Sequence, residues 1–131
     1  SIRRQRQMCI RDRNQLDWTS LANCQEEISF VKELMAYRKS QPLLHLKRGQ
    51  EIRDYCDVNW LSDHHFTYTI EKNREKLTMI VNIGNHEMTY QHPRDSQLLF
   101  AYPQANLQSP IAKGQELTLS AYSWLLLHET Y

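Results

Sequence analysis

The feature that most constrains this chain is a change of hydrophobic period at Pro42. Ahead of it, Cys24, Ile28, Val31 and Met35 recur at intervals of four, three and four, with Leu34 beside them, which is the stripe of an amphipathic helix. Glu26, Lys32, Glu33 and Lys39 fall off the centre of that stripe. Asn23, three residues before Glu26, has the pattern of a capping box, and Pro42 cannot continue a helix, so a helix of about four turns is predicted over 24–39. Behind Pro42 the period is two. Phe66, Tyr68 and Ile70 alternate with Thr67 and Thr69, and Leu77, Met79, Val81 and Ile83 alternate with more polar neighbours except at Ile80.

Further strands are predicted at 51–55, 88–90, 98–102, 116–120 and 123–128, the last buried on both faces because residues 124–127 are continuously apolar. Gly84-Asn85 reads as a tight turn, which makes 76–91 a hairpin. Short strands with no intervening helices imply an antiparallel sheet or sandwich, since parallel strands need long crossovers. A chain of 131 residues has enough surface to bury for one core and not for two.

Charge and cysteine content restrict function. Residues 1–13 hold five Arg and one Asp, leaving eleven basic and fourteen acidic residues in the remainder. An acidic body repels phosphate backbones, so nucleic acid is not the expected partner. The string SIRRQRQMCIRDR has no periodicity that could bury a face; it resembles a translated library-adapter sequence, or else forms a disordered basic arm, and is set aside from the fold. No apolar run approaches the roughly 20 residues of a membrane span. Cys9, Cys24 and Cys56 are odd in number and lack C-x-x-C spacing, which favours a reducing, cytoplasmic setting over a disulfide framework. Cys24 reads as a small buried hydrophobe on the helix stripe.

The chemistry-bearing residues are sparse. His64-His65, and His86 with His92, do not have metal-ligand spacing and sit near predicted turns, where a solvent-facing histidine is expected, so no metal is assigned. No G-x-S-x-G exposes a nucleophile, and Gly49, Gly84 and Gly114 are too scattered to cradle a phosphate, which leaves no nucleotide cofactor. Glu51, Asp54 and Asp57 read as the wet face of an edge strand rather than a facing carboxylate pair. A sugar platform would use an exposed aromatic residue such as Trp60, Tyr90 or Tyr102.

The order of the pieces carries a resemblance. Asn14-Gln15-Leu16-Asp17-Trp18 resembles the N-x-L/I-D-W loop that follows the last barrel strand in type I pullulanases, of the α-amylase superfamily (glycoside hydrolase family 13). Leu34-Met35-Ala36-Tyr37-Arg38-Lys39-Ser40-Gln41-Pro42 resembles the L-I-A-L-R-K-x-H-P end of their last barrel helix, with Tyr37 and Gln41 as departures. Glu51-Ile52-Arg53-Asp54-Tyr55 is similar to the E-I-R-K-H that opens their C-terminal β-domain, residues 77–82 to their V-I-V-I-x-N strand, and 121–127 to their closing strand. Residues 91–114 have no counterpart in the pattern.

The resemblance implies an antiparallel β-sandwich at 43–131, preceded at 14–42 by a loop and the last helix of a (β/α)8 barrel. It implies retaining hydrolysis of α-1,6-glucosidic branch points in pullulan, starch or glycogen by an Asp nucleophile, a Glu acid/base and a second Asp, all upstream of Asn14. No position here inherits a catalytic role. Asn14, Asp17 and Trp18 are the residues placed to approach an α-glucan, and the stripe from Cys24 to Met35 is expected to pack on the missing barrel. The competing expectation is a β-sandwich that binds glucans without cleaving them.

Overall fold

In the computed structural model, which describes residues 22–103 and 107–131, the chain divides into two units, Ser1–Gln41 and Pro42–Tyr131.

The first unit contains α1, Gln25–Ser40. Glu26 and Glu27 in its first turn and Arg38 and Lys39 in its last oppose the helix dipole correctly. The capping box does not form: Asn23 is itself in a 3₁₀ turn, Cys24 takes the N-cap position, and no side chain caps the end. Cys24 is half-buried rather than buried. At the other end Gln41 turns to extended backbone, as a residue before proline must, and its N–H closes the helix on the Tyr37 carbonyl at 2.9 Å.

α1 is apolar on two sides. The predicted stripe is present, but its centre is open, with Val31 51% and Met35 56% exposed. A second stripe, Phe30, Leu34 and Tyr37, is half-buried and lies about 120° away around the helix at 3.6 residues per turn.

The second unit opens with a 3₁₀ turn, Pro42–Leu44, whose Leu43 is buried, and then α2, Gly49–Tyr55. The strand predicted at 51–55 is therefore a helix. Short local bonds decide it: Glu51 Oε2 accepts the Lys47 N–H at 3.2 Å, Gln50 Nε2 donates to Asp54 Oδ1 at 2.8 Å, and Arg53 Nη2 donates to Gln50 Oε1 at 3.1 Å. These are three- and four-residue spacings that only a helix brings together.

Among the described residues seven strands follow: β1 Cys56–Trp60, β2 His65–Lys72, β3 Glu75–Asn82, β4 Met88–Gln91, β5 Gln97–Tyr102, β6 Glu116–Leu119 and β7 Ser123–Thr130. They form a five-stranded antiparallel sheet in the order β1-β2-β3-β7-β5 and a two-stranded sheet, β4-β6. The molecule is a mainly β sandwich preceded by a helix, as its sequence predicts. The 76–91 hairpin is not formed, because β3 pairs with β2 and β7 while β4 crosses to pair with β6. Asn82, 1% exposed, fixes that crossing: its Nδ2 donates to the carbonyls of His86 (2.8 Å) and Ser120 (2.9 Å), and its Oδ1 accepts the Gly84 N–H at 2.9 Å.

β3 instead closes a hairpin with β2 through Asn73 and Arg74, both at positive φ (55° and 63°). Two left-handed residues in a two-residue loop are a type I′ turn, which matches strand twist but costs a side-chain-bearing residue about 1 kcal/mol. Arg74 is exposed. Arg74→Gly is expected to stabilise the sandwich by about 1 kcal/mol, read as a higher urea midpoint with unchanged slope.

The inner face of the large sheet, Ile80, Leu125 and Leu127 with half-buried Leu98 and Ala101, packs with Met88, Leu117 and Leu119 of the small sheet and with Ile111. The outer face is apolar too. Residues opposite one another share a face, so Val58, Tyr68, Met79, Leu126 and Phe100 make one row across five strands, and Trp60, Phe66, Val81, Trp124 and Tyr102 the next. This face is graded along the strands. Ile70 and Leu77 near one end are buried, whereas Val58, Trp60 and Tyr102 are 47%, 58% and 49% exposed.

Candidate functional site

Asn14, Asp17 and Trp18 lie outside the described residues, and so does the arm at 1–13. Of the aromatic residues singled out as sugar platforms, Trp60 and Tyr102 occupy opposite edges of one row on the outer face, four strands and about 19 Å apart at ordinary strand spacing. Trp60 leans on Phe66, ring centroids 4.9 Å apart at 48°, and Tyr102 stacks on Trp124 at 6.4 Å and 22°. The two rings are therefore held by neighbours rather than swinging on the surface. Tyr90 is not a platform: it is half-buried against the core, and burial, aided by the charge of Glu129, holds its hydroxyl above the usual tyrosine range.

The acidic residues gather differently from expectation. Asp57 is on β1, while Glu51 and Asp54 are on α2. Asp54, Tyr55, Cys56, Asp57, Glu71 and Lys76 help line an open polar cleft of about 300 Å³. Lys72 Nζ lies 4.9 Å above the Tyr55 ring, so that ring has one face already occupied by a cation. Nearby, the Tyr68 hydroxyl is pushed up to about 12, first by its hydrogen bond with Cys56, then by burial and by the Cys56 charge. Among the described residues, no three His, Cys, Asp or Glu side chains are grouped to hold a metal ion.

The histidines divide. His64 is exposed in the β1–β2 turn, His65 Nδ1 bonds Ser62 Oγ at 2.7 Å, and His86 Nδ1 bonds Asn85 Oδ1 at 2.6 Å. His92, expected to face solvent, is 2% exposed. Its Nε2 is hydrogen-bonded to Glu129 Oε1, and its Nδ1 lies 3.2 Å from the Tyr90 hydroxyl. With Nε2–H donated to the carboxylate, Nδ1 is left to accept the tyrosine O–H, so the ring is satisfied on both sides. Glu129 is 4% exposed, and its second oxygen has no hydrogen-bond partner among the described residues. The cluster ties the strand-end after β4 to β7, and hence one sheet to the other. A signal for it exists in the sequence: His92 keeps the two-residue phase of Met88 and Tyr90, and Glu129 that of Leu125 and Leu127.

No family model matches the chain, and no curated protein sequence matches it significantly. Solved structures do. A type I pullulanase from Bacillus subtilis str. 168, solved with maltose, superposes with a TM-score of 0.72 at 19% identity, covering 90% of this chain and 17% of that one. The trehalulose synthase MutB from Pseudomonas mesoacidophila MX-45 gives 0.60 at 18% identity over 76% of this chain and 17% of that one. The isomaltulose synthase from Erwinia rhapontici NX5 gives 0.58 at 16% identity, with the same coverage of 76% and 17%. These likenesses establish the fold, a helix leading into a two-sheet antiparallel sandwich. The chain spans about a sixth of the length of each of these proteins.

Proposed function

We propose that this chain is the closing, non-catalytic part of an α-amylase-superfamily glycoside hydrolase, of the kind that cleaves α-1,6 branch points in pullulan, starch or glycogen. The observation that carries the reading is α1. A helix with Val31 and Met35 open to solvent on one apolar stripe is built to be covered by a larger body. The last helix of a (β/α)8 barrel is such an element. In this reading the barrel supplies the Asp, Glu and Asp of a retaining mechanism, and Asn14, Asp17 and Trp18 border the glucan at its mouth. The sandwich stabilises the barrel rather than touching the scissile bond. A cytoplasmic location goes with this reading.

The test is a chimera. Residues 14–131 replace the part of the B. subtilis pullulanase that superposes on them, and release of reducing ends from pullulan is measured. An active chimera is expected, with the 131-residue chain alone inert. Val31→Glu/Met35→Glu in the chimera is expected to lower its thermal midpoint while leaving the isolated sandwich unchanged. A chimera that folds but is indifferent to that pair would contradict the reading.

Trp60 and Tyr102 on one outer row support the second reading, a glucan-binding sandwich. It requires maltooligosaccharide to quench tryptophan fluorescence in the isolated chain, with the quench lost in Trp60→Ala.

A further inference from the structure

The two edges of the five-stranded sheet are unlike. β5 carries an irregularity between Leu98 and Phe100 and is followed by Pro103, both of which discourage further pairing. β1 has no proline, lysine or bulge, and its register with β2 is unbroken over all five residues. Val58 and Trp60 on it are 47% and 58% exposed, and Asp57 and Asn59 are exposed as well.

The backbone at this edge can be assigned. Leu61 N–H donates to the His65 carbonyl at 2.8 Å, one step beyond the Trp60–Phe66 pair, so that step is a hydrogen-bonded one. Bonded and non-bonded pairs alternate in an antiparallel ladder, so Asn59 and Asp57 direct their groups at β2 while Cys56, Val58 and Trp60 direct theirs outward. The Cys56 N–H is taken by the Ile52 carbonyl. The Cys56 carbonyl and both groups of Val58 and Trp60 remain on the outer side.

We propose that this edge binds a second copy of the chain, the two β1 strands pairing antiparallel about a two-fold axis at Val58. In that register the two Val58 residues exchange N–H and carbonyl, and each Trp60 N–H donates to Cys56 of the second copy. Asp57 then stands opposite Asn59 of the second copy, twice over, so each carboxylate meets an amide donor. Centring on Asp57 would oppose two carboxylates, and centring on Asn59 would set each Asp57 against Leu61. The Val58 register alone uses the whole strand and carries the apolar outer rows across the axis, giving an isologous dimer.

Sedimentation equilibrium of the 131-residue chain is expected to show a dimer. Val58→Pro removes only an outward N–H, which an edge strand tolerates, and is expected to weaken dimerisation by about tenfold or more with an unchanged circular dichroism spectrum. Val31→Glu/Met35→Glu is expected to leave the dimer intact. Opposed residues of a bonded antiparallel pair have Cα atoms about 5.5 Å apart, within reach of a disulfide. With Cys9, Cys24 and Cys56 replaced by Ser, Val58→Cys is therefore expected to form a disulfide-linked dimer on mild oxidation, and Asn59→Cys is not. A monomer, a dimer indifferent to Val58→Pro, or cross-linking at 59 and not at 58 would each overturn the proposal.

Discussion

Replacing His92 by Leu is expected to cost the sandwich about 3–5 kcal/mol, whereas replacing His92 and Glu129 together by Leu restores most of that loss. The asymmetry comes from burial. His92 and Glu129 are 2% and 4% exposed, and Glu129 Oε1 has the imidazole as its partner while Oε2 has none among the described residues. Removing the imidazole alone strands a carboxylate between two sheets and leaves the Tyr90 hydroxyl without its acceptor, and an uncompensated buried charge is costly. Removing both polar groups leaves leucines in phase with Met88 and Tyr90 on one strand and with Leu125 and Leu127 on the other. Urea unfolding of the two variants and of Glu129→Leu separates the pairwise contribution. A double variant as unstable as His92→Leu would show that the cluster acts through packing and not through its hydrogen bonds.

The second large effect is expected at Leu127. It is fully buried and lies on the inner face of β7, opposite Thr78 on β3 and Leu98 on β5, in a cluster with Ile80, Leu117 and Leu119. Leu127→Ala is expected to destabilise by about 3–5 kcal/mol, because a central strand flanked on both sides cannot collapse into the cavity. For a unit of this size that lowers the thermal midpoint by about 15 °C or more. Val58→Ala, on the exposed edge, is expected to stay within about 0.5 kcal/mol of the parent. Comparable losses at the two positions would contradict the assignment of inner and outer faces.

How much of this was legible in the sequence depends on which interactions decide each element. α1 and the strands from β2 onward were legible because their apolar periods run long enough to fix a face, and β7 showed its double burial in the run from Trp124 to Leu127. The segment Glu-Ile-Arg-Asp-Tyr at 51–55 was misread because one period of alternation fits a strand as well as a helix, and local polar bonds from Gln50 and Glu51 settled it. The crossing between sheets was hidden because Asn82, a single polar residue at a strand end, redirects the chain through hydrogen bonds whose partners lie as far as 38 residues away. His92 was misplaced because proximity to a turn outweighed its phase with Tyr90. The loop residues Asn14, Asp17 and Trp18 were singled out through resemblance alone, since nothing in their own spacing specifies a sugar contact, and they lie outside the described residues.

The most direct test of the central claim, that this chain completes an α-glucan hydrolase, is a long read of the natural locus through the codons upstream of Asn14. The account predicts an open frame running back into a (β/α)8 barrel that carries the Asp, Glu and Asp, with the Arg-rich segment at 1–13 replaced by barrel sequence. A start codon and ribosome site just upstream of authentic codons for that segment would contradict it, and would leave glucan binding as the function to test.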